Sequence, residues 1–166
     1  MTLIIENGTT PAGANSYVSL ADARAYADAR GVDLSTVNAT LEAQMLESMD
    51  YFESYSKRFV GDISDRDQPL SWPRDNVIVE GWSWTNTEIP RQVISALLTI
   101  IIEIHEGEDH LNPAAVTLPK ISEKVDCVID VKYADPLTSL KVNKTMKSRS
   151  IINLLLKNSG MFAVRT

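Results

Sequence analysis

The sequence predicts a mainly helical α+β fold, a compact bundle of about four helices with one β-hairpin and extended N- and C-terminal arms. Three observations predict it. Apolar side chains recur at helical spacing in four stretches, one stretch alternates apolar and polar residues, and the two ends follow neither pattern. With 166 residues, 44% of them hydrophobic, the chain is long enough to bury the core of one domain.

The first two helices carry local start and stop signals. Ser19 followed by Asp22 predicts a capping box, and Gly31 predicts the end of that helix as its C′ residue. A second helix is predicted from about Asn38 to Phe59. Its stripe of Met, aromatic and aliphatic residues is Leu41, Met45, Met49, Phe52 and Tyr55. Such a stripe is far more typical of a helix packed on a core than of a cofactor site.

A long connection and a central helix follow. Residues 61–88 contain all three tryptophans, so we expect this connection to pack as a unit. The strongest turn signal within it is the run Leu70-Ser71-Trp72-Pro73-Arg74. Pro90 predicts the first turn of a third helix, which runs to about Glu106 and ends at Gly107. Residues 93–104 are apolar on nearly every face, so this helix should be the central one.

The remaining segments are a hairpin, a last helix and two arms. Residues 119–134 alternate in polarity and predict a hairpin, whose strands need a partner in their own domain or in a neighbouring subunit. A last helix is predicted from about Ser148 to Asn158, followed by an apolar tail at residues 161–166. Residues 2–15 predict a short strand or arm and a loop, which either joins a neighbour or folds onto its own domain.

Charge divides the chain into two parts. The net charge is −6, yet residues 141–166 carry six basic residues and no acid, so the first 140 residues carry ten basic and all 22 acidic residues. We interpret residues 1–140 as a helical domain and residues 141–166 as a basic and then apolar docking segment. An acidic body repels phosphate, whereas the basic segment suits DNA, an acidic protein surface or mere solubility.

The sequence patterns of common enzymes and cofactor proteins are missing. The acidic cluster near His105 and His110 has four residues between the histidines, which places them on different helix faces and disfavours a zinc site. No glycine-rich phosphate loop or Gly-x-Ser-x-Gly motif occurs, and the single cysteine, Cys127, suits a buried thiol in a reducing compartment. We expect no catalytic residue, no cofactor, no metal, no signal peptide and no bilayer span.

In this order and spacing, the helix signature at residues 16–31, the Trp-Pro turn and the hairpin resemble one known family. They are similar to the head–tail connector (adaptor or head-completion) proteins of tailed bacteriophages, a family often labelled DnaT-like single-stranded-DNA-binding proteins. The residues that carry the resemblance are Ser19, Asp22, Gly31, Trp72, Pro73, Arg74 and Pro90. The basic stretch at residues 141–150 and the apolar tail depart from the family pattern.

The resemblance implies a structural virion protein without catalysis. Its subunits would form a homo-oligomeric ring, typically of about twelve, under the portal protein, extend the DNA channel and join the capsid to a neck or tail protein. Genomic DNA would pass without specific binding, no membrane would be involved, and the site of action would be the capsid–tail junction, after assembly in the host cytoplasm.

The C-terminal segment is the predicted docking element for the portal or another partner. Its candidate residues are Lys147, Arg149, Ile151, Ile152, Leu155, Phe162 and Arg165. Two other hypotheses stay open at this point. The basic segment could make the chain a single-stranded-DNA-binding accessory protein, although only Phe162 and Tyr133 offer aromatic rings near it in the sequence. The chain could also be a small accessory domain with another partner.

Overall fold

The computed structural model describes residues 3–108, residue 110 and residues 146–157. This part of the chain forms four α-helices and two small antiparallel sheets, which confirms the predicted mainly helical α+β class. The elements in chain order are α1 (Leu20–Asp28), α2 (Asn38–Glu53), a 3₁₀ turn (Ser56–Arg58), β1 (Asp62–Ile63), β2 (Arg74–Asp75), β3 (Val77–Val79), β4 (Trp82–Trp84), α3 (Arg91–His105) and α4 (Lys147–Leu155). The predicted hairpin at residues 119–134 lies outside the described residues.

Helix α1 begins and ends as its sequence predicts. The backbone N–H of Asp22 donates to Ser19 Oγ at 3.1 Å, and the N–H of Ser19 donates to the Asp22 carboxylate at 3.3 Å, which completes the capping box. At the other end Gly31 has φ 71° and donates to the carbonyl of Asp28 at 3.0 Å, while Val32 donates to that of Ala27 at 3.0 Å. These two bonds form a Schellman motif with Gly31 at C′.

Helix α2 ends at Glu53, six residues before the predicted end at Phe59. The chain there turns through the 3₁₀ segment, and Phe59 adopts an extended conformation that forms an antiparallel bridge with Leu156. A long-range backbone pairing therefore overrides the local helical periodicity. The stripe itself is confirmed, because Leu41, Met45, Met49 and Phe52 are buried.

Helix α3 is the centre of the bundle, as predicted, and packs against α1, α2 and α4. Pro90 lies one residue outside it, as the extended N-cap, rather than within its first turn. At the other end Gly107 has φ 89° and donates to the carbonyl of Ile104 at 3.0 Å. Helix α4 packs its fully buried Ile152 and Leu155 against α3.

The connection at residues 61–88 forms both small sheets. Trp72 is buried, as expected, and its peptide bond to Pro73 is cis. Trp84 packs partly against the core. The expectation is wrong at Trp82, which is 74% exposed beside a two-residue hairpin turn at Glu80 and Gly81. Both turn residues have positive φ, the geometry of a type I′ turn, which joins β3 and β4 as a tight hairpin.

The N-terminal segment folds onto its own domain, which settles the alternative left open by the sequence. The backbone N–H of Glu6 donates to the carbonyl of Ser16 at 2.8 Å, and the Glu6 carboxylate accepts from the N–H of Gly8 at 2.7 Å. Gly8 packs so closely that a Cβ there would lie 1.9 Å from the carbonyl oxygen of Thr87. The segment at residues 3–18 is therefore part of the packed domain.

Candidate nucleic-acid interface

Helix α4 divides the predicted docking residues into a buried and an exposed set. Ile152 and Leu155 are fully buried against α3, so they hold the helix on the domain. Lys147 and Arg149 are exposed and Ile151 is half-buried, which leaves these three side chains for a partner. Phe162 and Arg165 lie outside the described residues, and the docking role of the whole set stays a prediction.

The N-terminal end of α4 is fixed by a carboxylate from α3. Met146 stands at the N-cap position and offers no side-chain bond, but the backbone N–H of Ser148 donates to Glu103 Oε1 at 3.1 Å. Ser148 Oγ also donates to Glu103 Oε2 at 2.5 Å. The buried Glu103 therefore satisfies a free N–H of the first turn and places negative charge at the positive end of the helix dipole.

The C-terminal end of α4 is fixed by the segment that follows α2. The N–H of Val60 donates to the carbonyl of Leu155 at 2.9 Å, and the N–H of Lys157 donates to that of Arg58 at 2.8 Å. These bonds place the exposed Lys157 beside the exposed Arg58, although the two residues are far apart in the sequence. The last helix thereby acquires a basic neighbour from the 3₁₀ turn after α2.

Two tyrosines complete this surface. Tyr51, in the last turn of α2, and Tyr55, just after the helix, meet edge to face with ring centroids 5.4 Å apart, and their hydroxyls are hydrogen-bonded at 2.9 Å. The Arg58 guanidinium lies 5.6 Å from the Tyr55 ring centroid, within range of a cation–π contact. Both tyrosines are half-buried, so each ring has part of its surface in solvent.

Arg149 belongs to the same neighbourhood. Burial raises the pKa of Tyr51, as does the hydrogen bond with Tyr55, while the nearby positive charge of Arg149 lowers it. We name the surface made by Tyr51, Tyr55, Arg58, Arg149 and Lys157 the basic–aromatic face. It combines cations with aromatic rings, the two groups that a single-stranded nucleic acid needs from a protein surface.

Sequence reasoning missed the tyrosines and Arg58 of this face. Tyr55 was assigned to the core stripe of α2, and the only rings considered near the basic segment were Phe162 and Tyr133. A signal was present, since Tyr51 and Tyr55 stand at i,i+4 spacing and Lys57 and Arg58 follow within three residues of Tyr55. That they face α4 depends on the bridge between Phe59 and Leu156, which no local pattern announces.

The Trp-Pro turn of the sequence signature is a structural unit. Arg74 is buried and donates to the carbonyl oxygens of Val60 at 2.9 Å, Gly61 at 3.1 Å and Ser71 at 3.3 Å. Burial lowers its pKa, while the negative charges of Asp62 and Glu53 oppose that effect. Because its donors are turned inward, Arg74 belongs to the fold and not to the basic–aromatic face.

The acidic cluster at the C-terminal end of α3 makes internal contacts. Glu103 bonds Ser148 and lies 3.3 Å from His110 Nε2, and the His110 ring packs on Tyr51 with centroids 4.5 Å apart. Within the described ranges, no three or more His, Cys, Asp or Glu side chains are placed to hold a metal ion. Among the helices that the structure describes, none has the length and apolarity to cross a bilayer.

Comparison with known proteins identifies the family. A family model described as "Putative DnaT-like ssDNA binding protein" matches residues 1–166. No curated protein and no solved structure gives a match. The matching description points to DNA binding rather than to a virion adaptor ring, so the prediction of a bacteriophage head–tail connector is wrong. The chain belongs to the DnaT-like family of that description.

Proposed function

We propose that this protein binds single-stranded DNA through its basic–aromatic face. One observation carries the proposal: the fold brings Arg58, from the 3₁₀ turn after α2, beside Lys157 and places Arg58 near the Tyr55 ring and Arg149 near Tyr51. The family description supports it independently. The sequence-based alternative of a single-stranded-DNA-binding accessory protein thus becomes the main hypothesis.

The charge distribution confines binding to this face. The chain as a whole carries a charge of −6, so most of its surface repels phosphate. Residues 147–157 contain three basic residues and no acid. Two carboxylates of the packed helices are held by hydrogen bonds within the domain, because Glu103 accepts from Ser148, and Glu53 accepts from Ser71 and from Tyr17. Phosphates are therefore attracted to one local surface.

The tyrosines favour an unpaired strand over a duplex. Stacking on an aromatic side chain needs the flat face of a base, which duplex DNA keeps inside its own stack. Such stacking contributes about 1–3 kcal/mol per base and tolerates any sequence. Together with a few phosphate contacts, it gives binding that is sequence-tolerant and weakened by salt.

The test is a fluorescence anisotropy titration of a labelled oligothymidylate of about 16 nucleotides with the full chain. It compares the wild type with the double variant Arg58→Ala/Arg149→Ala at about 50 mM and about 200 mM salt. The double variant should bind about tenfold more weakly at low salt, and its slope of log K against log salt should be smaller by about 1.4, since each lost contact removes about 0.7.

The matched control is Arg66→Ala/Arg91→Ala, which removes two exposed arginines outside this face and changes the net charge equally. It should leave affinity within about twofold of the wild type, because exposed charges remote from a contact are screened by salt. Equal losses in the two double variants would refute the assignment to the basic–aromatic face. So would equal affinity for a duplex of the same length.

A further inference from the structure

A cleft lies on the other side of the N-terminal turn of α4. It has a volume of about 320 Å³, at the small end of the range for ligand pockets. The ends of α1 and α3 form two of its walls and the start of α4 forms the third. Its lining includes Tyr26, Arg30, Ile102, Glu106, Lys147 and Ile151.

One wall of the cleft is a stacked pair. The Arg30 guanidinium lies 3.3 Å from the ring centroid of Tyr26, and its Nη1 donates to the backbone carbonyl of Tyr26 at 2.9 Å. The Tyr26 hydroxyl is in turn hydrogen-bonded to Thr99 at 3.2 Å. These contacts hold the guanidinium over the ring, and Arg30 itself is exposed. Nucleobases splayed out of a strand stack on such arginine planes.

The rest of the cleft lining contains both apolar and charged side chains. Ile102 and Ile151 supply half-buried apolar surface, and Lys147 and Arg30 supply positive charge. Three carboxylates also line the cleft, those of Glu103, Glu106 and Glu108, and the Glu103 carboxylate accepts from Ser148. A carboxylate beside an apolar slot can accept a hydrogen bond from an exocyclic amino group, as it does from cytosine. The cations can meet a phosphate on the same nucleotide.

We propose that this cleft binds one nucleobase of a single strand, preferring a base with an exocyclic amino group, and that Lys147 or Arg30 meets its phosphate. The inference rests on the proposed function. Lys147 borders the cleft and Arg149, two residues later on the same helix, belongs to the basic–aromatic face. One strand can therefore cross the first turn of α4, stack on the tyrosines and place a base in the cleft.

The probe is a mononucleotide, because it is too small to reach both sites. Backbone amide resonances of the full chain are followed while deoxycytidine monophosphate, thymidine monophosphate or deoxyribose 5-phosphate is added. Deoxycytidine monophosphate should shift the amides of Arg30, Ile102, Glu106 and Lys147. It should bind about tenfold more tightly than the base-free sugar phosphate and about threefold more tightly than thymidine monophosphate, since a lost hydrogen bond costs about 0.5–1.5 kcal/mol.

Two matched variants test the cleft, one that blocks it and one that leaves it open. Ile151→Trp puts a bulky ring into it, whereas Leu154→Trp adds the same ring on the exposed side of the same helix, where Leu154 is 49% exposed. Ile151→Trp should lose at least tenfold in affinity for deoxycytidine monophosphate, and Leu154→Trp should keep it. Arg30→Ala, at an exposed position, gives the same expected loss without touching the packed helix.

The results separate this inference from the proposed function. If the mononucleotide shifts only the amides of the basic–aromatic face, or if the cleft variants bind it as the wild type does, the cleft assignment is wrong. In that case the labelled oligothymidylate should still bind and should still respond to Arg58→Ala/Arg149→Ala. If the wild-type protein binds no oligonucleotide at all, the proposed function itself is wrong.

Discussion

The Trp-Pro turn and the basic–aromatic face use the same kinds of side chain for opposite purposes. At the turn, the arginine and the tryptophan lie inside the domain, and each polar group of Arg74 finds a carbonyl oxygen. At the face, Arg58 and Tyr55 lie partly in solvent and touch each other only loosely. Composition alone does not separate a structural cluster from a binding surface. Burial and the hydrogen bonds of the arginine do.

The turn is also held by a half-buried carboxylate. Glu53, at the last residue of α2, accepts from Ser71 and from the Tyr17 hydroxyl, and that hydroxyl accepts from the N–H of Trp72 at 3.0 Å. Three segments therefore meet at one carboxylate. Removing one member leaves the others buried without partners, which costs about 1–3 kcal/mol per group.

The largest effect is expected from Trp72→Ala. Trp72 is 1% exposed and packs on Phe59 with ring centroids 5.7 Å apart, so its loss opens a cavity in the core. The free energy of unfolding, measured by urea denaturation followed by circular dichroism, should fall by about 3–5 kcal/mol. Trp82→Ala, at the exposed tryptophan, should change it by less than about 0.5 kcal/mol. A loss below 1 kcal/mol at Trp72 would show that the turn does not support the core as described.

A smaller effect, on binding and not on stability, is expected from Tyr55→Ala. Its affinity for the labelled oligothymidylate should fall by about 1–3 kcal/mol if one base stacks on this ring. Tyr55→Phe keeps the aromatic surface and should bind within about threefold of the wild type. Both affinities come from the same anisotropy titration, and urea denaturation reports any loss of folding.

Trp82→Ala sharpens the same comparison. Trp82 is the most exposed large hydrophobic residue described, yet it adjoins Glu80 and not the basic residues of α4. The Trp82→Ala variant should therefore bind the oligonucleotide with the affinity of the wild type. If Trp82→Ala weakens binding as much as Tyr55→Ala, the strand follows the β3–β4 hairpin, and the basic–aromatic face is not the main contact.

The fold was predictable wherever the signal is local. The capping box at Ser19 and the glycine at position 31 define α1, and an apolar run defines α3, because caps and periodicity act within one or two turns. The end of α2 was not predictable, because it depends on the pairing of Phe59 with Leu156. The candidate site depends on the same long-range pairing. Its basic residues on α4 were predictable from their charge, whereas the part played by its tyrosines was not predictable from the sequence. The resemblance found the right family and assigned it the wrong role.

The smallest effect concerns pH, and it compares the tyrosines of the two regions. Burial, followed by the negative charge of Glu53, raises the pKa of Tyr17 well above its usual value. The unfolded chain has the ordinary tyrosine pKa of about 10. Above that pH the unfolded state loses its proton first, so the stability from neutral Tyr17 is complete below about pH 10 and declines as pH rises towards the folded-state pKa. The decline has a limiting slope of about 1.4 kcal/mol per pH unit.

Urea denaturation at about pH 9, 10 and 11 should therefore show a steeper fall in unfolding free energy for the wild type than for Tyr17→Phe, by about 1 kcal/mol over the last unit. Burial also raises the pKa of Tyr51, but that ring is half-buried and Arg149 acts in the opposite direction, so Tyr51→Phe should flatten the profile less. Parallel profiles for the wild type and Tyr17→Phe would mean that water reaches the Tyr17 hydroxyl. The turn would then be hydrated like the binding face even at Tyr17, its buried tyrosine. The contrast between a turn closed to water and a face open to it would no longer hold.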